Sequence, residues 1–163
     1  MATLDSAWHL RLVEESDIRA VFDLLPRRYR VLLDLLDPRS ESGPETLVRL
    51  LLRALGCNVE LQVLIEGVGR VDLLVDGWLI VECDSAQYHG GWAAHANDRR
   101  RDLAAAVRGY ATIRVLAEDV FLRPEWLGEQ FRRVLRHSVG FHNSGSATED
   151  ARATAPASEF FAG

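Results

Sequence analysis

The dipeptide Asp76-Gly77 sits between two runs of apolar, largely β-branched residues and constrains this chain more than any other feature. Asp-Gly supplies the positive φ angles of a tight hairpin, so its flanking runs are expected to pair antiparallel. Residues 69–75 (GRVDLLV) and 78–83 (WLIVEC) are those runs. A third, residues 58–65 (NVELQVLI), alternates ahead of them and is separated by a second turn at Glu66-Gly67. The expected unit is a three-stranded meander. Counting back from a two-residue turn sets position 75 opposite 78, which brings Asp72 near Val81 and Glu82. Glu82 and Asp84 are two residues apart and share a face while the strand persists.

The segments on either side read as helices. Apolar residues recur at helical spacing through residues 7–37, with Ser16-Asp17 as a cap and an interruption at Pro26. A second helix is expected over 27–36, stopped by Pro38, and residues 38–44 form a turn. Pro44 suits the first turn of a helix running to Leu55, with Gly56 as its stop. Residues 92–108 form the next helix, 110–116 a fourth strand, and 118–136 a last helix interrupted near Pro124. The fold class is α/β, with a mixed sheet, because the fourth strand returns through a crossover helix. Three segments follow: N-terminal helices over 1–40, a sheet domain over 41–137, and a poorly packing tail over 138–163.

Composition removes several functions. The 163 residues contain 19 basic side chains, all arginine, so Schiff-base chemistry and a P-loop lysine are excluded. Cys57 and Cys83 stand far apart with no CxxC, which excludes a zinc ribbon and suits a reduced, cytoplasmic setting. No run approaches a membrane span and no secretory signal opens the sequence. The net charge of −5 argues against a nonspecific coat for nucleic acid. Its distribution is uneven: residues 1–90 carry 9 Arg against 15 acids, and residues 91–140 carry 9 Arg against 6.

Asp72, Glu82 and Asp84 at one end of a small sheet repel one another unless a positive charge lies between them. An oxygen-preferring cation, Mg²⁺ or Mn²⁺, is the expected occupant. Glu45, in the first turn of the preceding helix, is a candidate fourth member, and His89 follows Asp84 by five residues. Each residue alone has a plainer explanation. A carboxylate at a helix start interacts with the helix dipole, a lone histidine is a loop residue, and Arg99-Arg100-Arg101 is a solvated helix face. Glu82 and Asp84, however, close an apolar strand where unpaired carboxylates are expensive to bury.

The run Val71-Asp72, Glu82-Cys83-Asp84, His89, Asp98-Arg99-Arg100-Arg101-Asp102-Leu103, Gly109-Tyr110 and Ile113-Arg114-Val115 resembles a very-short-patch-repair-like endonuclease domain of the PD-(D/E)xK nuclease superfamily. Ser42-Gly43-Pro44-Glu45 matches the family's upstream Ser-x-x-Glu, and the resemblance covers residues 42–121. Residues 1–38 resemble the segment preceding this domain in actinobacterial abortive-infection antitoxin-like proteins. The resemblance implies a restriction-endonuclease-like core, α-β-β-β-α-β, preceded by helices. It implies Asp72 and Glu82 as metal ligands, with the Cys83 carbonyl as a third donor. Glu45 would act through a water or orient a ligand. Asp84 stands where the wider superfamily has lysine, and would ligate metal or polarise water. His89 would act as general base or hold a phosphate. Arg99, Arg100 and Arg101 would face the nucleic-acid backbone. The family usually has glycine after the aspartate, whereas this chain has Ser85.

The candidate catalytic set is therefore Glu45, Asp72, Glu82, Asp84 and His89, with metal at Asp72, Glu82 and Asp84. The leading expectation is a Mg²⁺- or Mn²⁺-dependent endonuclease acting on DNA. The alternative is a catalytically weak or inactive nuclease-fold module that binds nucleic acid or a protein partner in a defence or toxin–antitoxin-type system, and a homodimer is among the expected partners. A purely structural dimerisation domain leaves the strand-end carboxylates unexplained.

Overall fold

The computed structural model describes residues 1–84 and 92–142. Four strands form one open sheet in the order β1 (Val59–Ile65), β2 (Gly69–Val75), β3 (Leu79–Asp84) and β4 (Ala111–Leu116). β1–β2 and β2–β3 pair antiparallel, and β3–β4 pair parallel, so the sheet is mixed as the crossover argument requires. Helices flank it: α1 (Ala2–His9), α2 (Glu15–Asp23) and α3 (Gly43–Ala54) precede the sheet. Helix α4 (Trp92–Val107) lies between β3 and β4 in sequence, and α5 (Ala117–Leu122) and α6 (Pro124–His142) follow β4. Residues 1–128 make one compact unit, and residues from Glu129 onward belong to a second. Within the second, Glu129 pairs with Arg132, Arg133 and Arg136 along α6.

The hairpin differs by one residue from the two-residue expectation. Asp76 and Gly77 both take positive φ (49° and 73°), and the Trp78 N–H donates to the Val75 carbonyl. These are the hallmarks of a type I′ turn. The ladder, however, closes between Val75 and Leu79, leaving Trp78 as an added residue. The register thus pairs Leu73 with Val81, and continuing it sets Asp72 opposite Glu82.

The core is built on both faces of the sheet. Strand alternation sends Leu73, Val75, Leu79 and Val81 to one face, all essentially without exposure. Ile65, Val68, Val71, Leu74 and Ile80 pack with Ala105 of α4 in a second buried cluster. Helix α3 packs on β1 and β2, burying Val48 and Leu52.

The N-terminal region departs most from expectation. The helical stretch expected before Pro26 is divided into α1 and α2, and the helix expected over 27–36 is a nine-residue 3₁₀ segment, Arg27–Leu35. Helix α2 is capped at Glu14, whose N–H donates to the Asp17 carboxylate (2.9 Å), so the helix starts earlier than a cap at Ser16-Asp17 places it. The 3₁₀ segment buries none of its residues. Most helical stability comes from packing an apolar face, and this segment only half-buries Leu32, Leu33 and Leu35.

Helix α1 is fixed to α3 by a buried charged network. Asp5 and Arg49 are both fully buried and pair at 2.8 Å. Asp5 also accepts from the Asp37 N–H (2.9 Å) and from the Thr46 hydroxyl (2.9 Å). The Arg49 Nε donates to Ser40 Oγ (3.3 Å). Removing one partner strands the others away from water. We predict that Asp5→Ala lowers unfolding free energy by about 3–5 kcal/mol, the usual cost of orphaning a buried charge. Urea denaturation would measure it, and a loss below about 1 kcal/mol would show that Arg49 finds water instead.

Candidate carboxylate site

Three elements deliver carboxylates to one region. Ser42 caps α3, its Oγ accepting from the Glu45 N–H (3.3 Å), which sets Glu45 in the first turn. The Glu45 side chain turns back: Oε2 accepts from the Glu41 N–H (2.8 Å) and from the Gln62 amide on β1 (3.0 Å). Glu45 is only 5% exposed. A helix-start role and a site role are thus compatible in the same side chain.

Asp72 and Glu82 interlock across β2 and β3. The Asp72 N–H donates to Glu82 Oε2 (3.2 Å), and Asp72 Oδ2 accepts from the Cys83 N–H (2.9 Å). Each carboxylate thus satisfies a backbone donor near the other's residue, and the strand ends are tied together by side chains. Glu82 Oε1 accepts from Arg101 of α4 (3.2 Å). Among the described residues, no arginine pairs with Glu45 or Asp72.

The electrostatic result is a strained cluster of negative charge. Burial, then the charge of Asp72, lifts the Glu82 carboxyl from its ordinary 4.5 to about 7. Burial also raises Glu45, with Asp72 adding to the effect. The Cys83 thiol is pushed well up by burial and then by Asp72, Glu45, Glu82 and Asp84, so all four carboxylates bear on one point of the sheet. A buried thiol held neutral in this way is a poor nucleophile.

Asp84 belongs to a neighbouring group. It lies 3.7 Å from Arg114 of β4, which bonds Asp102 of α4 at 2.8 Å. Arg114, Arg99, Asp102, Tyr110 and Thr112 line an open cleft of about 360 Å³. Arg114 was visible in the sequence only as part of the Ile113-Arg114-Val115 run. Nothing in the spacing showed that it bridges β4 to α4.

The three consecutive arginines separate. Arg99 projects outward with an 81% exposed side chain, and Arg100 is exposed. Arg101 turns inward: Nε donates to the Val68 carbonyl (3.1 Å), and Nη2 donates to the Arg70 carbonyl (2.7 Å) and to Glu82. Helical geometry sends successive residues about 100° apart, so one of three faces the sheet. His89 and Ser85 lie outside the described residues.

Oxygen donors and excess negative charge suit a hard divalent cation. Among the described residues, no three His, Cys, Asp or Glu side chains form a ready-made metal centre. The carboxylates converge around strand ends and already use some of their oxygens on backbone donors. No family model, curated protein or solved structure matches the chain. Among the described residues, no helix is long and apolar enough to cross a membrane.

The raised Glu82 carboxyl has a signed consequence for stability. The folded state holds its proton to higher pH than the unfolded chain does. Its contribution is therefore neutral below about 4.5 and becomes a penalty as pH rises to about 7. We predict that Glu82→Gln removes a decline in metal-free stability over that interval. Urea midpoints at pH 4.5 and 7.5 would test it, and identical pH slopes for the two proteins would contradict it.

Proposed function

We propose that this chain is a metal-dependent endonuclease-like domain with a restriction-endonuclease-like core of the PD-(D/E)xK, very-short-patch-repair-like kind, hydrolysing phosphodiester bonds in DNA. The observation that carries the reading is the convergence of Glu45, Asp72 and Glu82 from three elements, with Arg101 the single arginine paired to them among the described residues. Natural folds rarely place carboxylates together at the end of apolar strands without a compensating cation.

Asp72 and Glu82 would hold Mg²⁺ or Mn²⁺, with Asp84 and the Cys83 carbonyl as further oxygen donors. Such a cation lowers the pKa of water and offsets charge developing on the scissile phosphate. Glu45 orients its neighbours from the α3 terminus. His89 is assigned to proton transfer or phosphate binding by the resemblance alone. Arg99 and Arg114 beside the open cleft suit the phosphodiester backbone, a contact that positions substrate without reading sequence. Arg101 holds Glu82 and the Val68 and Arg70 carbonyls, a positioning role.

Arg101 also favours a second reading. A cation supplied by the chain itself already meets one Glu82 oxygen, which lowers the demand for metal. A nuclease-fold module that binds nucleic acid or a protein partner without cutting is consistent with that contact.

A cleavage panel separates the two. Wild type and Asp72→Ala are assayed on supercoiled, linear and single-stranded DNA and on RNA, in Mg²⁺, Mn²⁺ or EDTA. The expected result is DNA cleavage by wild type, abolished by EDTA and reduced to background by Asp72→Ala. No cleavage by folded wild type in any condition would transfer support to the binding module.

The arginines give an independent test. Arg99→Ala should weaken duplex binding and reduce the salt slope by about 1, as expected for one lost phosphate contact. Arg101→Ala should lower Tm while leaving that slope unchanged. The converse pattern would place Arg101 on the nucleic acid.

A further inference from the structure

Helix α2 buries one face and leaves another uncovered. Ile18 and Phe22, one turn apart, are both buried. Residues three and four apart align along a helix, which places Glu14, Asp17, Val21 and Leu24 on one stripe. All four are exposed, Leu24 to 88%. The chain then stays at the surface: residues 23–31 are all exposed, Leu25 and Val31 among them. Scattered exposed leucines are ordinary, whereas a contiguous apolar surface rimmed by charge marks an interaction site.

The charges along the stripe are sorted. Glu14 and Asp17 lie at its start, where the Asp17 carboxylate accepts the Glu14 N–H. Arg27 and Arg28 lie past its end, where the 3₁₀ segment begins. Among the described residues no arginine pairs with Glu14 or Asp17, and no acid pairs with Arg27 or Arg28. The neighbouring charges are already engaged, Glu15 with Arg19 and Asp23 with Arg30. Arg28 stacks over the Tyr29 ring, 4.8 Å from its centroid, which stiffens the basic end. The order is acid, apolar, base, with roughly 15 Å of helix between Glu14 and Leu24.

We propose that this stripe is the interface of a homodimer, with α2 of one copy antiparallel to α2 of a second across a twofold axis near Val21. The rotation brings Arg27 and Arg28 of each copy to Glu14 and Asp17 of the other. It also closes Val21, Leu24 and Leu25 on their counterparts. An isologous interface must be complementary to itself, and opposite unpaired charges at the two ends of one stripe meet that condition. A nucleic acid would satisfy the arginines, be repelled by Glu14 and Asp17, and leave the leucines in water. One helical stripe and one 3₁₀ turn make an interface at the small end of the specific range, roughly 1,200 Å² in total, so the dimer is concentration-dependent. Its end charges stay near solvent, so salt weakens it. The dimer does not require nuclease activity.

Sedimentation of the full chain over a range of concentrations, in low and high salt, is the test. The expected result for wild type is a reversible monomer–dimer equilibrium that weakens with salt. Leu24→Glu places a charge in the apolar centre at an exposed position. The dimer dissociation constant should rise at least tenfold, with Tm at monomer concentrations unchanged. Arg27→Glu and Glu14→Arg should each weaken self-association, because like charges then meet. Mixing these two variants should restore a dimer, since each supplies the charge the other lacks.

A wild type that stays monomeric at low salt overturns the proposal. A dimer that survives Leu24→Glu unweakened places the interface elsewhere and also overturns it. Failure of the two folded charge variants to re-form a dimer overturns the antiparallel arrangement, and growth beyond two copies overturns the twofold axis. Weaker duplex binding by Arg27→Glu, with wild type monomeric throughout, assigns the patch to nucleic acid instead. Should Glu14→Arg melt α2, Leu24→Glu and Arg27→Glu carry the decision.

Discussion

The repulsion between Asp72 and Glu82 is the constraint around which the rest of the molecule is arranged. They face each other because Trp78 adds one residue to the β2–β3 connection, shifting the pairing so that Leu73 meets Val81. A one-residue change of register moves a side chain to a different partner and face. Without the extra residue, Asp72 would lie across from an apolar valine, and the two carboxylates would not exchange backbone hydrogen bonds.

Having brought them together, the fold offsets the cost in parts. Backbone N–H groups of Asp72 and Cys83 satisfy one oxygen of each. Arg101 reaches from α4 to another, and is itself held by two β-turn and strand carbonyls. Hydrogen bonds to ionised groups stabilise more than neutral ones, so these contacts are suited to the task. They stop short of neutrality: Glu82 still keeps its proton to about pH 7. The raised carboxyl records the cost of burying Glu82 beside Asp72. Burial, and then the nearby carboxylates, push the Cys83 thiol well up, which makes it a poor nucleophile.

Much of the sheet was legible because its signals are local. Asp76-Gly77 marked the hairpin, the β-branched runs marked the strands, and Pro44 with Gly56 bounded α3. The crossover implied a mixed sheet. What escaped depends on tertiary contacts. The bulging Trp78 uses ordinary turn residues, so spacing alone misplaced the register by one. Arg99, Arg100 and Arg101 are alike in sequence and unlike in place, because only the third faces the sheet. Asp5 and Arg49, 44 positions apart, carry no pattern that joins them. Gln62 looked like one polar position in an alternating strand, and its φ of +53° is invisible in residue type. The N-terminal periodicity and its interruption at Pro26 were legible, but the break between α1 and α2 and the 3₁₀ form of residues 27–35 were not.

The Asp5–Arg49 pair also sets where this protein can be cut. A boundary drawn at residue 40 would look natural from composition, yet it would strip Arg49 of α3 of its counter-charge and of the Ser40 hydroxyl. The same helix begins with Glu45, so the loss would be transmitted to the end of the element that presents a site carboxylate. The first helix is thus an internal component of the sheet unit rather than an appendage to it. Any recombination event that transplants this domain onto another scaffold would have to carry the opening residues along, or replace Asp5 and Arg49 together with apolar side chains of matching volume.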